Sequence, residues 1–256
     1  ATSAVANVND DPTGSVTISG TATEDQVLTA ANTLADEDVL GTITYTWSNG
    51  DTGTTTTLGQ SDVGNAITVT ATYTDGQGTA ESEVSSATSA VANVNDDPTG
   101  SVTISGTATE DQVLTAANTL ADEDVLGTIT YTWSNGDTGT TTTLGQSDVG
   151  NAITVTATYT DGQGTAESEV SSATSAVANV NDNPTGAVAI SGTATEDQVL
   201  SITNTLADED VLGSFSYAWN RAGTAISGAT SATYTLVQAD VGSTITVTVS
   251  YTDGQG

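Results

Sequence analysis

Residues 66–74 read Ala66-Ile67-Thr68-Val69-Thr70-Ala71-Thr72-Tyr73-Thr74. Apolar and hydroxylated side chains alternate one for one, the period of a strand with one face buried and one wet. Ile67, Val69, Ala71 and Tyr73 are expected to face a core, with Thr68, Thr70, Thr72 and Thr74 in water. Threonine suits that outer face because it is β-branched and polar. No helical period competes with this one.

Working outward, Ile43, Tyr45 and Trp47 fall in phase on one face of a second strand, with Thr42, Thr44 and Thr46 on the other. Strands are predicted over 15–19, 27–34, 42–48, 54–58, 66–74 and 79–94, separated by Gly, Asn and Asp turns. About seven short strands in such a stretch predict an all-β fold, a two-sheet Greek-key sandwich.

The pattern repeats. Residues 1–86 recur without a change as 87–172 and recur again, diverged, over 173–256, a period of 86 residues. That is too long for a solenoid unit and suits an autonomous small domain. Pro12, Pro98 and Pro184 each open a first strand. The modules are therefore expected at 12–97, 98–183 and 184–256, with 1–11 the last strand of a preceding module and the third module lacking its own last strand. Identical neighbours point to recent duplication within a longer, rod-like array.

Against 32 acidic side chains stands one basic residue, Arg221, for a net charge of −31. Nucleic acid and anionic membrane surfaces are excluded as partners. Self-repulsion on this scale favours neutralisation by bound cations. Without Cys no disulfide staples the modules, and without Lys no Lys–Asn isopeptide bond can. With His also absent, the usual general base is missing. No apolar run is long enough to insert in a membrane. An extracellular, surface or secreted location is expected, with secretion and anchoring signals outside this segment.

The third copy carries Tyr217-Ala-Trp219, Tyr234-Thr-Leu236, Asp240-Val-Gly242 and Tyr251-Thr-Asp253. This resembles the immunoglobulin-like repeats of large bacterial surface adhesins of the biofilm type. The resemblance implies that Trp47, Trp133 and Trp219 fill the core and that Asp62, Asp148 and Asp240 lead into the sixth strand. Ile67, Ile153 and Ile245 stand where immunoglobulin domains carry a Tyr.

The acidic loops are similar to the calcium loops of cadherin repeats: Ala22-Thr-Glu24-Asp-Gln, Ala35-Asp36-Glu-Asp38, Tyr73-Thr-Asp75-Gly, and the linker Asn93-Val-Asn95-Asp96-Asp97-Pro98. Carried over, the resemblance implies Ca2+ ligands at a first junction from Glu24, Asn95, Asp96, Asp97, Asp122, Asp124 and Asp161. A second junction takes Glu110, Asn181, Asp182, Asn183, Asp208, Asp210 and Asp253. Calcium needs roughly six to eight hard oxygen ligands, which separate loops must converge to supply. Without the ion these carboxylates repel and the linker hinges; with it the array stiffens.

Other motifs carry less. Asp36-Glu-Asp38 lacks the sixth-position Gly and closing Glu of an EF-hand, and the glycine-rich nonapeptide of calcium rolls is absent. Trp47, in phase with Tyr45, reads as core and not as a sugar platform. The threonines of 54–57 read as an exposed strand face and not an ice-binding array. Glu81 and Glu83 lie on one strand with no pocket implied, so no catalytic residue is assigned. The expected role is a structural extender or stalk with neighbouring modules as partners. Two alternatives stand beside it: a glycan-binding module using the longer loop 220–233, or a subunit joined end to end with identical chains into a fibre by strand donation.

Overall fold

The computed structural model describes residues 2–255, and every regular element among them is a strand or a single 3₁₀ turn. The first copy supplies β1 Val16–Ser19, β2 Val27–Asn32, β3 Thr44–Trp47, β4 Thr55–Thr57, β5 Val69–Thr74 and β6 Ala80–Val84. The second supplies β7 Val102–Ser105, β8 Val113–Asn118, β9 Thr130–Trp133, β10 Thr141–Thr143, β11 Val155–Thr160 and β12 Ala166–Val170. The third supplies β13 Val188–Ser191, β14 Val199–Asn204, β15 Ser216–Arg221, β16 Thr224–Ala225, β17 Thr233–Thr235 and β18 Ile245–Ser250. Among the described residues they form small three-stranded sheets in the orders β1-β2-β4, β3-β5-β6, β7-β8-β10, β12-β11-β9, β13-β14-β17 and β16-β15-β18. No helix among them is long and apolar enough to cross a membrane.

The chain falls into two compact units. One comprises 1–101, 119–129 and 158–169; the other comprises 102–118, 130–157 and 170–256.

In the first unit β1, β2 and β4 share a core with β3, β5 and β6. Ile67, Val69, Ala71 and Tyr73 are all buried, as the alternation requires, and pack with Leu28, Leu58 and Trp47. Trp47 lies opposite Val69, and its indole Nε1 donates to the Gly53 carbonyl at 3.0 Å, so the one polar atom of the ring is satisfied inside the core.

Two expectations are corrected here. The strand predicted over 79–94 is broken after β6: the Ser85 hydroxyl, buried, accepts the Val69 N–H, and Thr88 Oγ1 accepts that of Ile67. Side-chain oxygens thus replace backbone acceptors in the ladder, and beyond them the chain crosses to bridge Val63 and Thr23 in parallel. Within 54–57, Thr56 points inward and is buried, its hydroxyl donating to Asp51 Oδ2 at 2.6 Å.

In the second unit, Leu200, Trp219 and Leu236 centre the core around β14, β15 and β17. Trp219 stacks on Tyr234 at 5.6 Å between ring centroids. The longer loop of the third copy opens with a β15–β16 hairpin in which Arg221 pairs with Thr224.

Candidate metal centre

Glu24 sits in the turn before β2. Thr23 bridges Ala92, and the Glu24 N–H donates to the Ala92 carbonyl at 2.9 Å, which ties this turn to the segment leading toward Asp96. The carboxylate is buried, and its Oε2 accepts the Val94 N–H at 3.1 Å.

Asp124 is presented by a tight loop. Asp122 Oδ1 accepts the Asp124 N–H at 2.9 Å, the local bond that makes Asp a turn former. The Gly162 N–H donates to the Asp124 carbonyl at 2.8 Å, and a side chain at 162 would meet that oxygen. Val125 closes the loop at φ 74°, a left-handed conformation costly for a β-branched residue, and Val39 and Val211 repeat it. Asp124 itself is fully buried. It accepts the Asp96 N–H on Oδ2 at 3.0 Å and the Gln60 amide on Oδ1 at 3.1 Å.

The outcome is a pocket in which carboxylate oxygens of Glu24, Asp96 and Asp124 all lie within 4.8 Å of one another. No Lys or His exists in the sequence, and the single Arg is engaged with Asp240. Burial first, and then the neighbouring charges of Asp96 and Asp124, push the Glu24 carboxyl up, despite the Val94 N–H. Asp96 is pushed up likewise, by desolvation and then by Asp124. Gln60 Oε1 and Asn93 Oδ1 are buried oxygens with no hydrogen-bond donor. Oxygens that are buried, convergent and short of protons are the donor set of a hard cation such as calcium. The residues present fit that ion.

The second copy repeats the theme with different partners. Carboxylates of Glu110, Asp182 and Glu209 converge within the same limit. Asp210 is buried beside them, its Oδ2 taking the Asp182 N–H at 2.8 Å and its Oδ1 the Gln146 amide at 3.3 Å. In the flipped orientation the Gln146 nitrogen instead donates to Glu110 Oε1 at 2.7 Å, so this amide lies between two carboxylates and can satisfy only one of them with its nitrogen.

The remaining expected ligands stand apart from these triads. Asp122 spends Oδ2 on the Tyr159 hydroxyl, and Asp208 receives Tyr251 in the same way. The hydrogen bond to Asp208 and burial push the Tyr251 phenol up to about 12. Asp161 is buried; Oδ1 accepts the N–H groups of Gln163 and Thr165, both at 2.8 Å, while Oδ2 has no donor. Asn95 is exposed and donates to Glu167 Oε1 at 3.0 Å. Asn181 donates to the Asp182 carbonyl, and Asp253 Oδ1 accepts the Gln255 N–H. Asp97 and Asn183 are exposed.

Sequence reasoning missed Gln60, Asn93 and Glu209. The two amides carry no charge to draw attention; their signal was recurrence at Gln146 and Asn179. Glu209 lies between the two aspartates that the resemblance singled out.

No protein-family model matches this sequence, and comparison with curated proteins finds no match. Among solved structures, the chain is similar to a tetra-tandem repeat from the extending region of a large adhesion protein. It is 23% identical over 96% of this chain and 72% of that one, with a TM-score of 0.30. A calcium-stabilised adhesin with which an Antarctic bacterium reaches out and binds ice is 17% identical over 97% and 67%, at a TM-score of 0.28. The FN1–FN3 domains of chicken CNTN1 are 13% identical over 96% and 94%, at 0.23.

Proposed function

We propose that this chain is a non-catalytic extender of an extracellular surface adhesin or fibre, built of tandem immunoglobulin-like sandwiches with boundaries at 12–97, 98–183 and 184–256, and that calcium bound in its acidic pockets stiffens the segments between them. The observation that carries this reading is the Glu24, Asp96 and Asp124 triad, whose oxygens stand within 4.8 Å of one another, with the Gln60 amide, bonded to Asp124, beside them. Three like charges in one pocket oppose the fold unless a cation joins them. The ion would be held by Glu24 and Asp124 from loops far apart in sequence and by Asp96 from the connecting segment, so binding would fix that segment. Calcium suits the set better than zinc, which favours nitrogen and sulfur, or magnesium, which keeps most of its water.

Unfolding by heat and small-angle scattering of the whole chain, with calcium and then with excess chelator, tests it. A site held at a hundred times its Kd adds about 2.7 kcal/mol to the folded state. A melting temperature and scattering profile unchanged by chelation would leave the carboxylates as solvated turns and end the proposal.

A further inference from the structure

In the second copy the two terminal atoms of the Gln146 amide face acidic groups on opposite sides. One lies 3.3 Å from Asp210 Oδ1; the other lies 2.7 Å from Glu110 Oε1, 3.1 Å from Glu110 Oε2 and 3.3 Å from Asn179 Oδ1. An amide ends in one nitrogen and one oxygen, so on one side an oxygen meets a carboxylate with no proton between them. With the nitrogen on Asp210, the amide oxygen sits among acceptors alone.

The first copy has the same sequence, and Glu24, Gln60 and Asn93 are the counterparts of Glu110, Gln146 and Asn179. There Gln60 Nε2 donates to Asp124 Oδ1 at 3.1 Å, while Gln60 Oε1 and Asn93 Oδ1 are both buried without a donor. The diverged third copy keeps Glu196 and Gln238, and one end of that amide lies 3.2 Å from each oxygen of Glu196.

Local structure aims these groups. The 3₁₀ turn Gln60–Asp62 is pinned by Asp62, whose Oδ2 accepts the Gly59 N–H at 3.1 Å. The Leu58 carbonyl accepts the Asp25 N–H at 2.9 Å, which sets that turn beside Glu24. Asn93 follows Ala92, whose carbonyl accepts the Glu24 N–H and whose own N–H donates to the Ala22 carbonyl at 3.0 Å. Buried acceptors are paired as a rule. Oxygens packed against oxygens are instead the pattern of ligands gathered around a hard cation.

We propose that Gln60 Oε1 and Asn93 Oδ1, and likewise Gln146 Oε1 and Asn179 Oδ1, are calcium ligands, with each Gln Nε2 anchoring its amide on Asp124 or Asp210. The assignment rests on the calcium reading above and adds neutral ligands to it. One oxygen from each of Glu24, Gln60, Asn93, Asp96 and Asp124 approaches the roughly six to eight that calcium takes, with water to complete the shell. Neutral oxygens extend the shell without adding charge to a pocket that already repels itself. The competing arrangement turns the amide over, so that its N–H groups donate to the glutamate and compete with the ion for it.

Calorimetric titration of calcium into the metal-stripped 256-residue chain separates the two arrangements. Gln60→Met combined with Gln146→Met removes both oxygens at nearly constant volume and is expected to weaken binding about tenfold or more. If the amides are donors, removing them frees the glutamates, and affinity holds or rises; that result would overturn the assignment and leave calcium binding intact. A wild type that takes up no calcium ends both readings. Thermal melts in chelator confirm that the variant is folded. Crystals of the wild type grown in calcium test the geometry directly: the ion is expected roughly 2.3–2.6 Å from Gln60 Oε1 and Asn93 Oδ1. An ion held by carboxylates alone would also sink the assignment.

Discussion

The backbone N–H of Asp96 donates to Oδ2 of Asp124 at 3.0 Å, so the segment beyond Val94 is already tied to the acidic loop by one hydrogen bond. The bond has two consequences of opposite sign. It fixes the connection, and it brings the Asp96 carboxylate against Asp124 and Glu24, where the charges repel.

Asp124→Asn separates these effects. The amide oxygen still accepts the Asp96 N–H, while one charge leaves the pocket. In chelator the variant is expected to be more stable than wild type, by on the order of 1 kcal/mol, because the repulsion at close range is relieved. In calcium it is expected to lose most of the stabilisation that wild type gains, because a hard cation favours carboxylate over amide. Paired thermal melts of both proteins in both buffers check it; an equal calcium gain in the two would remove Asp124 from the site.

Val125 sits at φ 74° with its side chain exposed, so the strain of its loop is not offset by burial. A left-handed conformation costs roughly 1–2 kcal/mol for a residue with a Cβ. Val125→Gly removes that cost but adds chain entropy to the unfolded state. A net gain of about 0.5 kcal/mol in chelator is expected by chemical denaturation, and no gain would mean that the loop relaxes around valine.

Much of this was legible from the alternation at residues 66–74, because a strand buried on one face writes its period directly into the sequence. Ile67, Val69, Ala71 and Tyr73 needed no knowledge of their partners. Glu24, Asp96 and Asp124 were singled out, among other acids, by the likeness of their loops to cadherin calcium loops, and the convergence of these three is a property of the tertiary arrangement. Legibility ended where a neutral side chain does the work of a backbone or a charge. Ser85 breaks a strand by accepting the Val69 N–H, and Gln60 enters the acidic pocket as an amide. In both cases the residue type permits many roles and only its neighbours select one.

The third copy solves a local problem differently. In the first copy Asn49 reaches the buried Asp62 at 3.3 Å; at the equivalent place Arg221 Nε meets Asp240 Oδ1 at 2.6 Å, and the Tyr234 hydroxyl and Val237 N–H bond to its other oxygen. Arg221→Ala leaves a buried carboxylate with two donors. Losing a partner of a buried pair is destabilising, but Arg221 is partly in solvent and Asp240 keeps its other bonds, so only a modest fall in stability is expected. Arg221→Asn, which imports the Asn49 arrangement, is expected to cost less in the same denaturation experiment. Equal losses would mean that the asparagine cannot reach Asp240 in the third copy.

Protonation of the pocket carboxylates sets the pH dependence of the metal-free chain. Glu24 and Asp96 are held above the ordinary carboxylate range, chiefly by burial and then by like charge. A group raised in the folded state contributes stability that is full below its unfolded pKa and is lost as pH rises through the folded value. Asp75 and Asp161 oppose them: burial works upward, but N–H bonds from Thr79 and Gln77, and from Thr165 and Gln163, outweigh it and hold both carboxyls low. Their contribution is present above about pH 3.9 and disappears in stronger acid. In chelator the melting temperature is therefore expected to peak in mild acid, near pH 4–5, and to fall toward neutrality as Glu24 and Asp96 ionise against each other. With calcium the fall should vanish, because the ion binds the ionised carboxylates and replaces the protons. Melting curves from pH 3.5 to 8, with and without calcium, read both trends. A metal-free melting temperature that rises steadily to pH 8 would mean that the three carboxylates do not repel one another in the folded chain.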